Sequence, residues 1–444
     1  MLALSRQARG LIPQKESNAM KKHITSTAIP THALKTEALA SMSASFERFC
    51  LAAGIETLSE MMEQDTEAVC GARHARDEGR RAHRWGRTKG KIGFHGGKIA
   101  VERPRVRGFD GEERTLPSWE SAIGENWLGE WAMNQMLINV STRKFKRSVR
   151  LPGGDVPASD GAGLSKSATS RRFVALSTAR MKEWMETRLD HLDLLVIQID
   201  GIHMAEDMLL VAAVGVDETG EKHPLGVVEG ATENAVTARA LIANLIDRGL
   251  DPAVRRLFII DGSKALATAI RRAFGRDTPI QRCQVHKARN ILERLPKSMH
   301  ASVRSVLRQA WELDDAAKAE KLLRNLARRL NADWEGVAGS ILEGIDEMLT
   351  VTRFGLPREL RRSLACTNII ENVMGTVRRV CRNVKHWRSP SMAIRWTAAA
   401  MMEAKKGFRR LKAHKQLPVL RAALDRQSAG TSTGRPLAQI AEAA

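Results

Sequence analysis

Apolar positions change their period near residue 190, and the change divides the chain into two textures. Up to that point the spacing is mostly helical. Phe46, Cys50, Leu51, Ile55, Leu58, Met61 and Met62 recur at roughly helical intervals and predict a helix over residues 37–70. Lys91–Phe94 and Lys98–Glu102 then read as two short strands around His95-Gly96-Gly97, with Pro104 ending the second. Helical spacing returns over residues 128–150. The loop Gly153–Gly163 is rich in Gly, Asp and Pro, and the serines and threonines between Leu164 and Phe173 can cap a new helix. A helix, a turn and a second helix opening with small polar residues and arginines resembles a helix-turn-helix reader. The alternative is an ordinary bundle whose surface helix is basic.

From Leu192 the pattern becomes that of a layered α/β unit. Leu194–Ile199 is a nearly unbroken apolar run stopping at Asp200-Gly201. Met208–Val216 is a second run and Lys222–Glu229 a third, with the turn Asp217-Glu218-Thr219-Gly220 between them. A helix fits Asn234–Arg248, a fourth strand Arg255–Ile260, and another helix Ser263–Phe274. Three strands in hairpin succession, then helix, strand and helix, imply a mixed sheet with helices packed on it. Residues 284–350 give no strand signal. Ile291, Leu295, Val303, Val306, Leu307, Leu322, Leu326 and Ile341 keep helical spacing, so an all-helical block interrupts the α/β unit. A long helix from Ile369 to about Val384 follows, and the tail after about Gln427 has the small, polar composition of a disordered segment.

Charge adds a second layer to this picture. The chain of 444 residues has room for about two to four domains. Its net charge is 71 − 50 = +21, and two stretches hold nearly all of it. Residues 71–107 carry 12 basic and 3 acidic side chains, and residues 372–415 carry 12 and 1, together +20. Such concentration looks like footprints for a polyanion, the plainer alternative being two solvated basic faces. Arg103, Arg105 and Arg107 alternate, so a strand there sets all three on one face, a basic ribbon suited to a DNA groove or backbone. Arg171 and Arg172 open the second helix of the helix-turn-helix-like segment.

Several classes are excluded. The absence of tyrosine rules out every DNA enzyme that uses a phenol as nucleophile. Five cysteines without a CxxC pair fit a reduced intracellular compartment and argue against structural zinc. The longest apolar run is about half a membrane span, so no membrane partner is expected. No signal peptide is evident, and the opening residues to about Pro30 read as a basic, frayed leader with Met20 as an alternative start. P-loop and HExxH patterns are absent.

Three carboxylates stand out as candidate chemistry. Asp200 and Asp261 each follow an apolar strand, at the rim where α/β sheets carry their sites. Each has a plainer role available: Asp-Gly as a turn, and Asp261 as a helix cap. Glu371, in Thr367-Asn368-Ile369-Ile370-Glu371-Asn372, is the third, and its plainer role is a capping box with Asn368 as N-cap. On a helix Glu371, Arg378 and Arg382 share a polar stripe, while Ile370, Val373, Val377, Val380 and Val384 form an apolar one. A carboxylate in line with two arginines suits a metal ligand beside phosphate clamps, or an exposed ion-pair stripe. Three carboxylates without a Cys/His ligand set favour Mg2+ or Mn2+. Paired divalent ions activate water or a 3′-hydroxyl for in-line displacement at phosphorus.

Together these segments resemble a DDE transposase of the mutator type from bacterial insertion sequences. The resemblance is carried by Ile199-Asp200-Gly201, Ile260-Asp261-Gly262, Cys283-Gln284-Val285-His286 and Thr367-Asn368-Ile369-Ile370-Glu371-Asn372. Arg378 to Trp387 and Met392 to Trp396 match its style, and the similarity spans roughly residues 37–415. It implies an α/β fold: a ribonuclease-H-like mixed-sheet catalytic core interrupted by an all-helical insertion, with a mainly helical N-terminal DNA-binding region containing a short β-ribbon. The implied organisation is a flexible leader over 1–36, the DNA-binding region over 37–190, and the first part of the core over 191–286. The helical insertion then covers 287–365, the last part of the core 366–415 and a tail 416–444.

The resemblance also implies roles. Asp200, Asp261 and Glu371 become the catalytic and metal-binding triad for Mg2+ or Mn2+. Cys283 and His286 match the family's Cys-x-x-His element; a buried cysteine with a satisfied histidine is the plainer reading, and otherwise His286 sits near the phosphate or orients a carboxylate. Arg103, Arg105, Arg107, Arg171, Arg172, Arg378 and Arg382 become DNA contacts. Trp311 or Trp334 of the insertion is a candidate for stacking on a DNA base, core packing being the stronger expectation for both. The partners are double-stranded DNA (the element's terminal inverted repeats and target DNA) and further copies of the chain in a homo-oligomer, in the cytoplasm at the nucleoid. Two alternatives remain open: a captured transposase kept as a DNA-binding regulator, and a ribonuclease-H-like nuclease without transposition.

Overall fold

The computed structural model describes residues 51, 53–75, 79–124, 127–148, 165–205, 208–230 and 235–432. The predicted leader over 1–36, the start of the helix predicted from residue 37 and the loop Gly153–Gly163 lie outside them. The chain divides into two compact units. The first holds the residues up to Thr88 and Glu102–Trp119; the second holds Lys89–Val101, Glu120–Leu151 and the chain from Ala158 onward.

In the first unit, helix α1 (53–70) turns Met62, Thr66 and Cys70 inward. Glu63 on it binds Arg84 at 2.5 Å and Arg87 at 3.5 Å. β1 (Ala82–Phe94) and β2 (Gly97–Gly108) form a hairpin, and β3 (Glu113–Arg114) adds to its edge. Both long strands outrun the prediction, and Pro104 does not end β2. β3 pairs only at Val106↔Arg114 and Arg107↔Glu113, so one flank of β2 is open at Pro104 and a residue without an N–H is tolerated there. Pro104, Val106 and Gly108 are buried, while Arg103, Arg105 and Arg107 share the half-exposed face, as their alternation predicts.

In the second unit, the hairpin tip sets His95 on the ring of Trp131 at 5.0 Å. α2 (Pro117–Gly124) and α3 (Trp127–Leu137) precede a 3-10 turn at Phe145–Ser148. The helix predicted over 128–150 therefore stops at Leu137, where Asn139 takes a left-handed φ of 71°. α4 (Lys166–Glu186) starts where the capping residues predict, with Ser165 accepting from the Ala168 N–H at 3.2 Å. α3 and α4 pack together, Arg180 reaching Glu130 at 2.5 Å, but residues 138–165 connect them. That link is far longer than the turn of about 3–4 residues in a helix-turn-helix motif.

The mixed sheet contains β4 (Leu194–Ala205), β5 (Met208–Asp217), β6 (Lys222–Gly230), β7 (Leu257–Ile260) and β8 (Ile280–Arg282), in the order β6-β5-β4-β7-β8. β5 is antiparallel to β4 and β6, while β4, β7 and β8 are parallel. Both faces are covered, which is why β4 and β5 read as continuous apolar runs. On one face Ile197, Ile199, Val211 and Phe258 pack against α5 (Ala235–Asp247) and α6 (Lys264–Phe274). On the other, Val196, Ile202, Leu210 and Ile259 pack against α14 (Asn368–Val380), α15 (Pro390–Lys405) and α16 (Leu417–Ser432).

The segment expected to be a tail from 416 thus begins as a helix. Leu417, Leu420 and Leu424, each fully buried, bind it to the core. Between β8 and α14 lies the helical block: α7 (Gln284–Leu292), α8 (Lys297–Glu312), α9 (Ala316–Leu330), α10 (Glu335–Leu342), and the shorter α11 (Ile345–Met348), α12 (Thr350–Arg353) and α13 (Arg358–Leu364). α7 to α11 share a separate core, on which Trp311 and Trp334 pack. No helix among the described residues is long and apolar enough to cross a membrane.

Candidate active site at the sheet rim

Asp200 was expected at a strand end, yet β4 continues past it to Ala205. β5 goes on pairing there, with Asp200 opposite Ala212 and Ile202 opposite Leu210. On the other flank the pairing with β7 stops at Ile199↔Ile260, so Asp200 and Asp261 are neighbours just beyond the last parallel rung. Alternation puts Val196, Gln198, Asp200 and Ile202 on the face covered by α14. Asp200 is 9% exposed and its Oδ1 accepts the Gly201 N–H at 2.9 Å. Burial pushes its carboxyl up to about 6. The charge of Asp261 adds to the effect, that of Glu371 adds less, and His286 opposes it.

Asp261 does not cap α6. Ser263 is the N-cap, its Oγ accepting the Leu266 N–H at 3.4 Å, while Asp261 Oδ1 accepts the Ser263 N–H at 3.0 Å. Glu371 is equally free of its plainer role. The N-cap of α14 is Thr367 rather than Asn368, and no capping box forms. Instead the Thr367 hydroxyl donates to Glu371 Oε1 at 2.8 Å, and it lies 3.4 Å from both Cys283 Sγ and His286 Nδ1.

His286 Nδ1 approaches Glu371 Oε1 at 3.8 Å. Cys283 is the N-cap of α7, its Sγ accepting the His286 N–H at 3.5 Å. Hydrogen bonding to Cys283 raises the His286 imidazole to about 9, so it is cationic at neutral pH. Burial alone would push the Cys283 thiol up, but hydrogen bonds from His286 and Thr367 bring it below its usual value. The two thus bond to each other beside Glu371.

Donor atoms of Cys283, His286 and Glu371 lie within 4.8 Å of one another, as do those of Asp217, Glu221 and His223. The second group is a hairpin turn: Asp217 Oδ1 accepts the N–H groups of Thr219 and Glu221, each at 2.9 Å. At the rim the donor set is different in kind. Burial, then the charge of Asp261 and least that of Glu371, raise the proton affinity of Asp200, and a hard divalent cation fits that field.

Sequence reasoning passed over the residue that sets this geometry. Gln198, fully buried, donates from Nε2 to Cys366 O and accepts at Oε1 from the Ile370 N–H, both at 3.1 Å. It ties β4 to the first turn of α14, the turn that carries Glu371. Its only signal was a lone amide in an apolar strand. Gln281 and Gln284 act similarly at the far end of the insertion, each donating to Met348 O at 3.0 Å.

Arg378 lies exposed on α14, and Arg382 on the 3-10 turn Cys381–Asn383 that replaces the last turn of the predicted helix. Arg171 is exposed and Arg172 half-buried near the start of α4. Arg103, Arg105 and Arg107 belong to the first unit. There Glu113 binds Arg105 at 2.7 Å and Arg103 at 3.6 Å, while Arg103 and Arg107 also lie over the rings of Trp119 and Trp85.

Residues 28–410 match the family model described as "Transposase, Mutator family". The chain is 30% identical over 223 residues to the transposase for insertion sequence element IS6120 of Mycolicibacterium smegmatis, covering 49% of this chain and 67% of that protein. It is 24% identical over 363 residues to the transposase for IS256 in transposon Tn4001 of Staphylococcus aureus (78% and 87%). It is 25% identical over 422 residues to the transposase for IS1081 of Mycobacterium tuberculosis (93% and 96%). With more than four-fifths of its length inside one family model, the chain belongs to the Mutator family of transposases.

Proposed function

We propose that the protein binds the ends of its mobile element and cleaves and joins DNA strands at Asp200, Asp261 and Glu371. The observation that supports this is that Asp200 and Asp261 follow the last parallel rung, Ile199↔Ile260, with the charges of Asp261 and Glu371 both bearing on Asp200. The strand order, with β5 alone reversed against β4, β7 and β8 on the side of β4 away from β7, supports a ribonuclease-H-like reading of the core. Asp200, Asp261 and Glu371 would hold Mg2+ or Mn2+, which supplies activation of a water or 3′-hydroxyl and charge neutralisation at phosphorus.

The chain's own residues supply the rest. Thr367 Oγ1 holds Glu371 by its Oε1, and the His286 imidazolium fixes the same carboxylate electrostatically. Arg378, two turns along α14, faces a phosphodiester lying along the helix. With no tyrosine in the chain, no phenol competes with water or DNA hydroxyls as nucleophile. The basic ribbon and α4 would recognise the terminal inverted repeats, and cutting paired ends calls for more than one copy of the chain.

The test incubates purified protein and Mg2+ with a duplex bearing the inverted repeats that flank its gene, then maps the nicks. Nicks at the repeat boundaries that need all three carboxylates support the proposal. Binding without nicking points to a regulator, and nicking without end specificity to a stand-alone nuclease.

A further inference from the structure

A cavity of about 300 Å3 lies beside the rim, walled by the helical insertion and the start of α14. Two helices present it with the same spacing: Arg308, Trp311 and Glu312 on α8, and Arg358, Arg361 and Arg362 on α13. Positions i, i+3 and i+4 share a helix face, so both sets point one way. Their charges are unevenly matched. Arg361, 4% exposed, is held by Leu313 O and Asp314, and Arg358 reaches Glu312 at 3.4 Å. Arg308 and Arg362 are exposed and form no ion pair among the described residues.

The lining thus holds four guanidinium groups against one carboxylate. Trp311 packs its ring on the insertion core, yet among the described residues its indole N–H has no partner, and neither has the buried Thr352 hydroxyl in the same wall. Surplus guanidinium beside unmatched polar groups suits an anion with several acceptor oxygens. The wall also includes Val285, between Cys283 and His286, and Asn368, three residues before Glu371. An anion held here lies about one helical turn from Glu371 along α14.

We propose that this cavity is a phosphate subsite that takes the DNA backbone a nucleotide or two from the bond being cut. The assignment rests on DNA being the substrate of the Asp200–Asp261–Glu371 cleft; a free polyphosphate offers the same oxygens and is the other source to be told apart. The full-length chain is titrated in EDTA with a labelled duplex carrying the inverted repeat, over a series of salt concentrations. Three proteins are compared: wild type, Arg308→Gln/Arg362→Gln, and Arg328→Gln/Arg329→Gln, which removes equal charge from exposed positions of α9 outside the cavity.

The cavity variant should bind about tenfold more weakly, with the salt slope shallower by about 1–2, and the α9 variant should stay within about twofold of wild type. Trp311→Phe, which keeps the ring and removes the N–H, should lose about threefold. Equal losses in the two double variants, or no loss in the cavity variant, overturn the subsite. Inorganic pyrophosphate, titrated alone, should bind at least tenfold more weakly than the duplex; tighter binding, lost in the cavity variant, assigns the site to a free polyphosphate and overturns the DNA assignment. Because binding is read without metal, the two proposals fail separately. A wild type that never nicks DNA but shows the arginine dependence removes the cleavage reading and leaves the cavity only a contact to DNA phosphate, and one that nicks with unchanged binding in the variant removes only the subsite.

Discussion

Like charges crowd together in two places in this protein, and they are treated in opposite ways. At the sheet rim Asp200 and Asp261 each accept a single backbone N–H and no cationic side chain bonds to either among the described residues. On the ribbon Arg103, Arg105 and Arg107 are each given company: Glu113, the ring of Trp119, the ring of Trp85. Desolvation accounts for the difference in consequence. Asp200 is buried, so the repulsion it feels from Asp261 is little screened and favours a cation, whereas half-exposed arginines are screened by water and need only be held in line.

The widest gap between the two regions should appear in catalysis. Asp200→Asn, Asp261→Asn or Glu371→Gln should lower strand cleavage by at least about a thousandfold while repeat binding stays within about twofold. Gel assays of nicking and binding on the same duplex check this. A variant that still cuts takes its residue out of the site. Gln198→Leu should act through geometry instead. It leaves Cys366 O and the Ile370 N–H buried without partners, a loss of about 2–3 kcal/mol in chemical denaturation. Cleavage should fall through kcat more than KM, since α14 shifts but the DNA-binding surfaces remain. An unchanged kcat would mean that the tether serves stability alone.

Electrostatic strain at the rim predicts a pH signature in metal-free protein. The Asp200 carboxyl titrates at about 6 when folded, above its ordinary 3.8. The folded state therefore binds the extra proton between those values, and stability falls as pH rises through that window. Asp200→Asn should stabilise the protein in EDTA by about 2 kcal/mol at pH 8 and by almost nothing at pH 4. Mg2+ should raise the Tm of wild type at pH 8 more than that of the variant. A stabilisation independent of pH would show that the charge of Asp200 is already compensated.

How much of this could be read beforehand depended on how far each feature reaches along the chain. The apolar runs marked β4 and β5 because both faces of the sheet are covered, and the arginine alternation marked a ribbon face because β2 is a plain strand there. Boundaries set by partners were invisible. β4 overshoots Asp200 because β5 keeps pairing, and β2 crosses Pro104 because β3 is too short to need its N–H. β8, at three residues, is shorter than any periodicity. Asn368 looked the better cap, but Thr367 takes that place while its hydroxyl serves Glu371, an outcome decided by His286 and Cys283 from another helix. The carboxylates were legible as residues; Gln198, which ties β4 to the start of α14, was not.

The smallest effects should come from the ribbon, and there the comparison can be reversed. Arg105 is bound through Nε and NH2 to Glu113, so its charge is partly spoken for before any DNA arrives. Arg105→Ala should therefore weaken repeat binding only about threefold and reduce the salt slope by less than one full phosphate contact. Glu113→Gln removes the carboxylate and releases Arg105 and Arg103 together, and it should tighten binding about two- to fivefold at low salt, the gain fading as salt screens it. If Glu113 serves instead to hold the arginines in register, as Gln198 holds Glu371, then Glu113→Gln will weaken binding, and the ribbon will have to be regarded as a preorganised site like the rim. The sign of that single change, read from salt-dependent titrations of both variants on one duplex, separates an attenuating carboxylate from a positioning one.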